Sequence, residues 1–572
     1  MCNFMINRIA FLFLICCYPF AGLADPVDDV VRVTTVGYST PALLGSVNHS
    51  LMRVEVSVLG DKPINLSHFT ICLSGQNGSG DIENLRINYL GDDFNGGEGG
   101  NAEIFGEFAG GRGSRDVVIK GYRMLSPGQH YFMVSVNLSS RLDLGSSIAC
   151  TLIELGIGDR KLNLSDTCSP AYLRPAVAVR QHMQDGVHTS RIPGLATTNK
   201  GTLLAIFDAR YESARDLQGH MDIGLHRSTD GGQIWEPLQI VMDMGEWGGL
   251  PQKFNGVSDA CILVDKNSDA IYIAGLWMYG VINDDGKWVE GLADTSTVWN
   301  HQWRTKGSQP GFGVKETSQF LVVKSTDDGK TWGKPLNLTE MCKRQEWWLW
   351  APAPGNGITM TDGTLVFPTQ GRDATGKPFS NITFSKDGGR TWQTSNPALD
   401  VPAGTTECAV VELSDGSLML NMRANSNRGN EGADNGRAIS ITTDLGESWR
   451  EHSTSFRALP EPTCMASLYK HTYTVKGVQK QVLLFLNPNS KIARDHITLK
   501  VSFDDGHSWP AKYWILLDEG RGRGYSCITS VDEDHIGVLY EGSRADLVFQ
   551  KIPLADLLTT DDFSAGNNSS NK

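Results

Sequence analysis

Glu407 and Arg423 stand at the two ends of one segment, Glu407-Cys-Ala-Val-Val-Glu412-Leu-Ser-Asp415-Gly416-Ser-Leu-Met-Leu-Asn-Met-Arg423. Asp415-Gly416 is a turn signal between two apolar runs, so the segment is predicted to be a β-hairpin. On its return strand Arg423 shares parity with Asn421 and Met419, opposite Leu418 and Leu420. Glu412 abuts the turn and is expected to be solvated. Taken alone, the pattern also describes a surface hairpin with an exposed arginine. Other reactive types lie far away in sequence. Arg191-Ile192-Pro193 precedes an apolar strand, Leu203 to Phe207, and Asp208-Ala-Arg210-Tyr-Glu-Ser-Ala-Arg215-Asp216 follows it. Arg494 lies eight residues before Ser502, and Tyr525 lies sixteen after Trp509. Guanidinium groups are planar, permanently charged and able to hold a carboxylate with two hydrogen bonds. A tyrosine of pKa about 10 is ionised to about one part in a thousand near neutral pH. It becomes a nucleophile when a nearby carboxylate takes its proton. The stretch Arg521-Gly-Arg523-Gly524 reads as loop.

The elements that must hold these groups are announced by a phrase repeated five times. It reads Ser228-Thr-Asp230-Gly-Gly232-Gln-Ile-Trp235 and returns at Ser325–Trp332, Ser385–Trp392, Thr442–Trp449 and Ser502–Trp509. The last three gaps between its tryptophans are 60, 57 and 60 residues, the period of a repeat architecture. Asp is expected to bond backbone N–H groups two residues on, Gly to supply positive φ, and Trp to pin the turn to its neighbour. A strand precedes the last copy: Ile497, Leu499 and Val501 alternate with Thr498, Lys500 and Ser502, the period of a half-buried strand. A hairpin recurring about every sixty residues predicts an all-β fold, with one propeller blade per repeat. The first gap, 97 residues, is expected to hold a blade without the phrase, plus an insertion. Tryptophans 277, 288, 299, 303, 347, 348 and 350 cluster in and after that gap, where core packing competes with a place at the site entrance.

At 572 residues the chain predicts two domains. Hydrophobic residues make up 40% and charged residues 20%, as in ordinary soluble proteins. Residues 1–24 combine Arg8, a short apolar run and small residues, the pattern of a secretory signal peptide. The run is shorter than the roughly 20 residues a membrane span needs, so no transmembrane segment is expected. Residues 25–175 lack the repeat. Met52, Val54, Val56 and Val58 alternate with polar residues, and a glycine-rich loop follows (Gly96 to Gly111), which predicts a separate β-sandwich. Sugar binding and a purely structural role both remain open for it. The tail from 557 is polar and expected to be disordered. Eight cysteines remain after the signal, in no metal-binding spacing; buried free thiols are expected, with Cys150–Cys168 the conceivable pair. The net charge of −13 argues against nucleic acid as a partner.

The repeat is the Asp-box, and with the motifs above the chain resembles bacterial sialidases (neuraminidases) over residues 180 to 550. The resemblance implies a six-bladed β-propeller over 176–556 and exo-α-sialidase activity on sialylated glycans, with no cofactor or metal. It implies that Arg191, Arg423 and Arg494 hold the substrate carboxylate, and that Glu541 orients Arg191. It further implies that Asp216 is the general acid/base and that Tyr525 is the nucleophile, with Glu407 as its base. Asp208 and Arg210 are matched to the sugar-ring contacts, and Asp259 and Gln370 to secondary pocket positions. A carboxylate nucleophile would be repelled by the substrate's own carboxylate, whereas a tyrosine is neutral; sialidases are a known tyrosine exception among glycosidases. The acidic chain and the anionic substrate are compatible because charges are screened beyond about 8 Å at physiological salt, so a local arginine cluster must do the attracting. Transfer to an acceptor, or within the sugar, would use the same residues. A binding propeller without turnover should lack the acid, the base or the tyrosine.

Overall fold

The computed structural model describes residues 30–558 and 562, apart from 76–81, 95–101, 110–115, 166–167, 284, 286 and 299–307. The signal-peptide segment, most of the tail, much of the glycine-rich loop, and Trp299 and Trp303 lie outside the described residues. The described chain is all-β. Helix is confined to short pieces such as Thr339–Cys342 and Leu554–Leu557.

Two compact units divide it. The first comprises residues 1–38, 47–137 and 148–172, and the second 39–46, 138–147 and 173–572. The segments 39–46 and 138–147 thus belong to the second unit although they lie inside the stretch read from sequence as the first domain. In the first unit one sheet runs Val31–Gly37, His49–Val58, Gly128–Leu138, Ile82–Gly91 and Glu103–Ala109. The other runs Arg160–Asn163, Ile148–Ile157, Ile64–Gly75 and Asp116–Leu125. Met52, Val54 and Val56 are buried as their alternation requires. The sheets meet through Phe69, whose ring lies 5.1 Å from both Phe105 and Phe132, edge-on.

Among its described residues the second unit holds six sheets, antiparallel except for two short parallel pairings, of Ala42–Leu43 with Pro175–Arg180 and of Gly355–Asn356 with Val257–Val264. One combines strands from both ends of the unit: Pro175–Arg180 pairs Leu547–Pro553, followed by His535–Tyr540 and Ser526–Ser530. The other five form in sequence order, and their first long strands are Thr189–Thr197, Val257–Val264, Trp350–Pro352 with Leu365–Arg372, Thr405–Glu412 and Ser467–Val475. Each of these strands packs on the next, and the series returns through Ser467–Val475 to Ser526–Ser530 and from there to Thr189–Thr197. The strand expected at 497–502 is present, but both of its faces are covered rather than one. Lys500 is fully buried there, its Nζ on Asn487 Oδ1 at 2.8 Å and between the rings of Phe485 and Trp514. Alternation failed as a guide because the neighbouring sheets cover both surfaces.

The Asp-boxes close the turns between third and fourth strands, with one difference from expectation. In the box at Ser385, Asp387 Oδ1 accepts the N–H groups of Arg390 (3.1 Å) and Thr391 (2.9 Å), three and four residues on rather than two. Ser385 Oγ donates to Asp387 and accepts from Gly389 N–H. Gly389 has φ 78°, and a Cβ there would sit 2.6 Å from the Tyr272 hydroxyl. Trp392 is buried against Phe367. Because third strands end at the boxes, the boxes lie at the opposite ends of the sheets from the starts of those strands.

Hydrogen bonds from Thr331, Thr391 and Ser448 hold Asp327, Asp387 and Asp444 down to about 2. A carboxylate depressed in the folded state stabilises it above the unfolded pKa, about 4. That contribution is lost as pH falls through the folded value. The melting temperature is therefore expected to decline from pH 4 to 2. Replacing all three with Asn should lower it at pH 7 and flatten the decline. Calorimetric melts across that range check this; an unaltered slope in the triple variant would count against it.

Candidate active site

The strands place their chemistry at one end. Arg191 lies early in Thr189–Thr197, Asp208 and Arg210 at the end of Leu203–Arg210, and Arg423 near the end of Leu418–Ala424. Arg494 precedes Ile497–Ser502, Tyr525 immediately precedes Ser526–Ser530, and Glu541 follows His535–Tyr540. Antiparallel pairing brings all of these strand ends together. Three strands also slip register where they meet the site: between Arg191 and Gly194, between Ser258 and Cys261, and between Thr405 and Cys408. Ile192 (φ 59°) and Asp259 (φ 57°) take up two of those irregularities. Bulges of this kind re-aim side chains beside functional sites.

A cavity of about 160 Å³ is lined by Arg191, Asp216, Asp259, Glu407, Arg423, Arg494 and Tyr525, completed by Ile192, Leu217 and Ser258. Tyr525 is buried. Its hydroxyl donates to Glu407 Oε1 in a short hydrogen bond and accepts from Arg423 Nη1 at 3.0 Å. Arg423 Nη1 also donates to Glu407 Oε2 at 2.6 Å, while its buried Nε has no hydrogen-bond partner. Burial, and then the Glu407 charge, push the Tyr525 phenol well above its ordinary value against the pull of Arg423 and Arg494. The resting phenol is therefore protonated, with its acceptor in place. Ile192, Cys464 and Met465 pack with Tyr525 in one apolar cluster.

Glu541 is a saturated acceptor. It takes Arg191 Nε (2.9 Å) and Nη2 (3.3 Å), the N–H of Ile192 (3.0 Å) and that of Tyr525 (3.1 Å). Burial would raise its carboxyl, but Arg191 and these N–H donors outweigh burial and hold it below the usual range. One residue thus fixes the rotamer of Arg191 and the backbone of Tyr525. Glu541→Gln keeps the shape, removes the charge and turns an NH₂ toward Arg191. A buried pair broken on one side costs about 3–5 kcal/mol. Urea unfolding should show a loss of that size; wild-type stability would mean Arg191 is held by other contacts.

Arg210 is buried and reaches two acids, Asp208 Oδ2 at 2.8 Å and Asp216 Oδ1 at 2.7 Å. Burial pushes the Asp208 carboxyl up against the pull of Arg210; the Ser258 hydroxyl and Asp259 N–H also bond it. Asp216 is the open member, its side chain 61% exposed, and Arg191 Nη1 lies 3.4 Å from it. Partial desolvation at the cavity wall would raise Asp216, but Arg210 and Arg191 outweigh it and lower its pKa. Asp259 goes the other way: burial and the charges of Asp208, Glu407 and Asp216 raise it well above the carboxylate range. Arg494 donates to the carbonyls of Arg523 (2.9 Å) and Thr463 (3.3 Å) and has no carboxylate partner among the described residues. Arg191 and Arg423 are each matched by a glutamate, whereas the described partners of Arg494 are carbonyls.

Gln370 is not brought to the cavity wall; it is buried, with its amide nitrogen 3.3 Å from the Pro352 carbonyl. Glu412, expected in solvent, is buried and accepts the N–H and hydroxyl of Thr361. The turn there faces a neighbouring sheet, which sequence proximity to a turn does not reveal. No tryptophan lines the cavity among the described residues; Trp277, Trp347 and Trp350 are core. Cys150, Cys261, Cys342, Cys408, Cys464 and Cys527 are buried free thiols, so the conceivable Cys150–Cys168 bridge is not formed. Sequence reasoning passed over Ser258, an unremarkable serine beside Asp259. It also passed over the buried Arg437–Glu461 pair, in which Glu461 accepts the N–H of Ala424 beside Arg423.

An arginine-lined cavity with a phenol bonded to a carboxylate at its base, and an open carboxylate at its wall, has the makings of a glycosidase site for an anionic sugar. The family described as BNR repeat-like domain matches residues 192–517. A sialidase of Bacteroides fragilis (strain YCH46) is 42% identical over 444 residues, 77% of this chain and 76% of that protein. The solved structure of the Hadza microbial sialidase Hz136 superposes with a TM-score of 0.77 at 33% identity, covering 92% of this chain and 100% of that one. The intramolecular trans-sialidase of Ruminococcus gnavus shares the fold, with a TM-score of 0.52 at 19% identity over 66% of this chain and 98% of that one. The chain belongs to the sialidase family.

Proposed function

We propose that this protein hydrolyses terminal α-linked sialic acid from glycans with retention of configuration, through a covalent sialyl–tyrosine. The observation that carries it is the Tyr525 hydroxyl between Glu407 and Arg423 at the base of a cavity whose wall holds Asp216. Arg191, Arg423 and Arg494 hold the substrate carboxylate; the unpartnered Nε of Arg423 and the guanidinium of Arg494, whose described partners are carbonyls, favour an anion there. Tyr525 Oη attacks the anomeric carbon and its proton passes to Glu407. Asp216 gives its proton to the glycosidic oxygen, and the aglycone leaves as an alcohol. Asp216, now a base, takes a proton from water as that water attacks the same carbon. The sialyl–oxygen bond breaks, and Tyr525 recovers its proton from Glu407. Asp259 faces the sugar ring, while the buried Asp208–Arg210 pair, matched in sequence to ring contacts, stays behind the cavity wall and holds Asp259 and Asp216 in place.

In the same proposal the six sheets are the blades of a six-bladed β-propeller, supported by the returning series of strand contacts. The first unit is a β-sandwich, supported by its facing sheets. Residues 1–24 direct export, to the periplasm, the cell surface or the medium.

Sialyllactoses of both common linkages, followed by proton NMR, test the reaction. Free sialic acid appearing first as the α-anomer is the expected result. The β-anomer first would overturn retention; an anhydro sugar or a sialylated acceptor would replace hydrolysis by transfer.

A further inference from the structure

Asp216 is carried by the segment Tyr211-Glu-Ser-Ala-Arg215-Asp216-Leu-Gln-Gly-His220, which joins the strands Leu203–Arg210 and Met221–Ser228. Its two halves are held differently. After Asp216 the chain enters the protein. Leu217 is buried with Leu276, Met278 and Leu349, and the Gln218 amide donates to the carbonyls of Phe254 (3.0 Å) and Met278 (3.1 Å). Before Asp216 the chain lies in solvent: Glu212, Ser213 and Arg215 are exposed. That half is held from two points. One is Arg210, whose Nη1 donates to the Ala214 carbonyl at 3.0 Å as well as to Asp216. The other is His220, at the far end of the segment.

The carbonyl of His220 accepts the N–H of Tyr211 at 3.1 Å, one rung beyond the Arg210–Met221 pair, and its N–H donates to Glu212 Oε2 at 2.9 Å. Those backbone bonds would form with almost any residue at 220. The imidazole adds two contacts of its own. It lies flat on the Tyr211 ring, with centroids 3.9 Å apart and planes at 16°. Its Nε2 is 3.4 Å from Oδ2 of the buried Asp222, in the strand that follows. Burial would lower the pKa of this imidazole, but Asp222, and after it Glu212 and Asp243, outweigh burial and raise it. The charged ring is thereby favoured beside Asp222. So the ring is anchored to the sheet on one side and clamps the root of the exposed half on the other. We propose that His220 is a positioning residue for Asp216: stacked on Tyr211 and tied to Asp222, it closes the base of the segment and sets where the Asp216 carboxyl meets the glycosidic oxygen. This rests on the proposed role of Asp216 as general acid.

The test compares kcat/KM for sialyllactose and for an activated aryl sialoside in the wild type, His220→Ala, His220→Phe, Asp216→Ala and the double variant Asp216→Ala/His220→Ala. This quantity covers the steps up to departure of the aglycone, and an aryl leaving group departs unaided. The ratio of the two values therefore reports the acid, whatever fraction of a variant folds. Misplacing a catalytic group by about 1 Å costs on the order of 10²-fold, so His220→Ala is expected to lose about 10- to 100-fold on sialyllactose and less than about threefold on the aryl sialoside. His220→Phe keeps a flat ring on Tyr211 and should lose less than His220→Ala on sialyllactose. On the Asp216→Ala background the same His220→Ala change should cost less than about twofold, because no acid remains to be positioned. Four results would each overturn the inference while leaving the acid standing: equal losses on the two substrates, wild-type values in His220→Ala, a phenylalanine variant no better than alanine, or additive losses in the double variant. Asp216→Ala losing equally on both substrates would instead remove the acid assignment, and the inference with it.

Discussion

Tyr525→Phe should reduce kcat on sialyllactose by about 10⁴-fold or more, the scale seen when a covalent nucleophile is removed. The substitution deletes one oxygen. Glu407 and Arg423 keep their 2.6 Å ion pair, and the ring keeps its contacts with Ile192, Cys464 and Met465, so the fold should survive. A melting temperature within a few degrees of wild type is the control. The decisive measurement is intact-protein mass after exposure to a fluorinated sialosyl fluoride, which slows release of the intermediate. Wild type should gain one sialosyl unit on Tyr525, and the variant none. A labelled variant, or one with wild-type turnover, would transfer the role to another group, of which Glu407 is nearest.

Asp216 gives the second large effect. Partial desolvation would raise its pKa, but Arg210 and Arg191 outweigh that and hold it below the usual value. It is therefore ionised near neutral pH and cannot yet donate. A bound carboxylate drains the charge of Arg191, and the opposing burial is then less compensated. The pKa of Asp216 must rise in the complex. The alkaline limb of kcat is expected at higher pH than the titration of Asp216 in the free protein, which carbon-13 NMR of the carboxyl can follow. Asp216→Ala should lower kcat/KM for sialyllactose by about 10²–10⁴-fold, the usual yield of general acid catalysis. An activated aryl sialoside, whose phenolate leaves unaided, should lose less than about tenfold. Equal losses on the two substrates would exclude Asp216 as the acid.

The all-β class was legible because the Asp-box is a local device. Its Asp, Ser and Gly act within five residues of one another, and the hydrogen bonds around Asp387 need nothing from the rest of the chain. The Glu407–Arg423 hairpin was legible for the same reason, since turn and strand parity are short-range properties. Arg191, Arg494 and Tyr525 could be matched to family motifs, yet no spacing in the chain says that residues 350 apart, Arg191 and Glu541, form one ion pair.

What the amino-acid order determined by itself is therefore the hairpins, the repeat and the inventory of guanidinium, carboxylate and phenol groups. What only the tertiary structure decided is how each is aimed and charged. Register slips turn Arg191, Asp259 and Glu407 inward. Burial with like charges raises Asp259, while partnered arginines lower Asp216, and a covering sheet buries Glu412 and Lys500. Gln370 stays bound to a carbonyl away from the cavity wall. The reason is physical: a side chain's desolvation and its electrostatic neighbours are sums over groups distant in sequence, and they exist only once the sheets have packed.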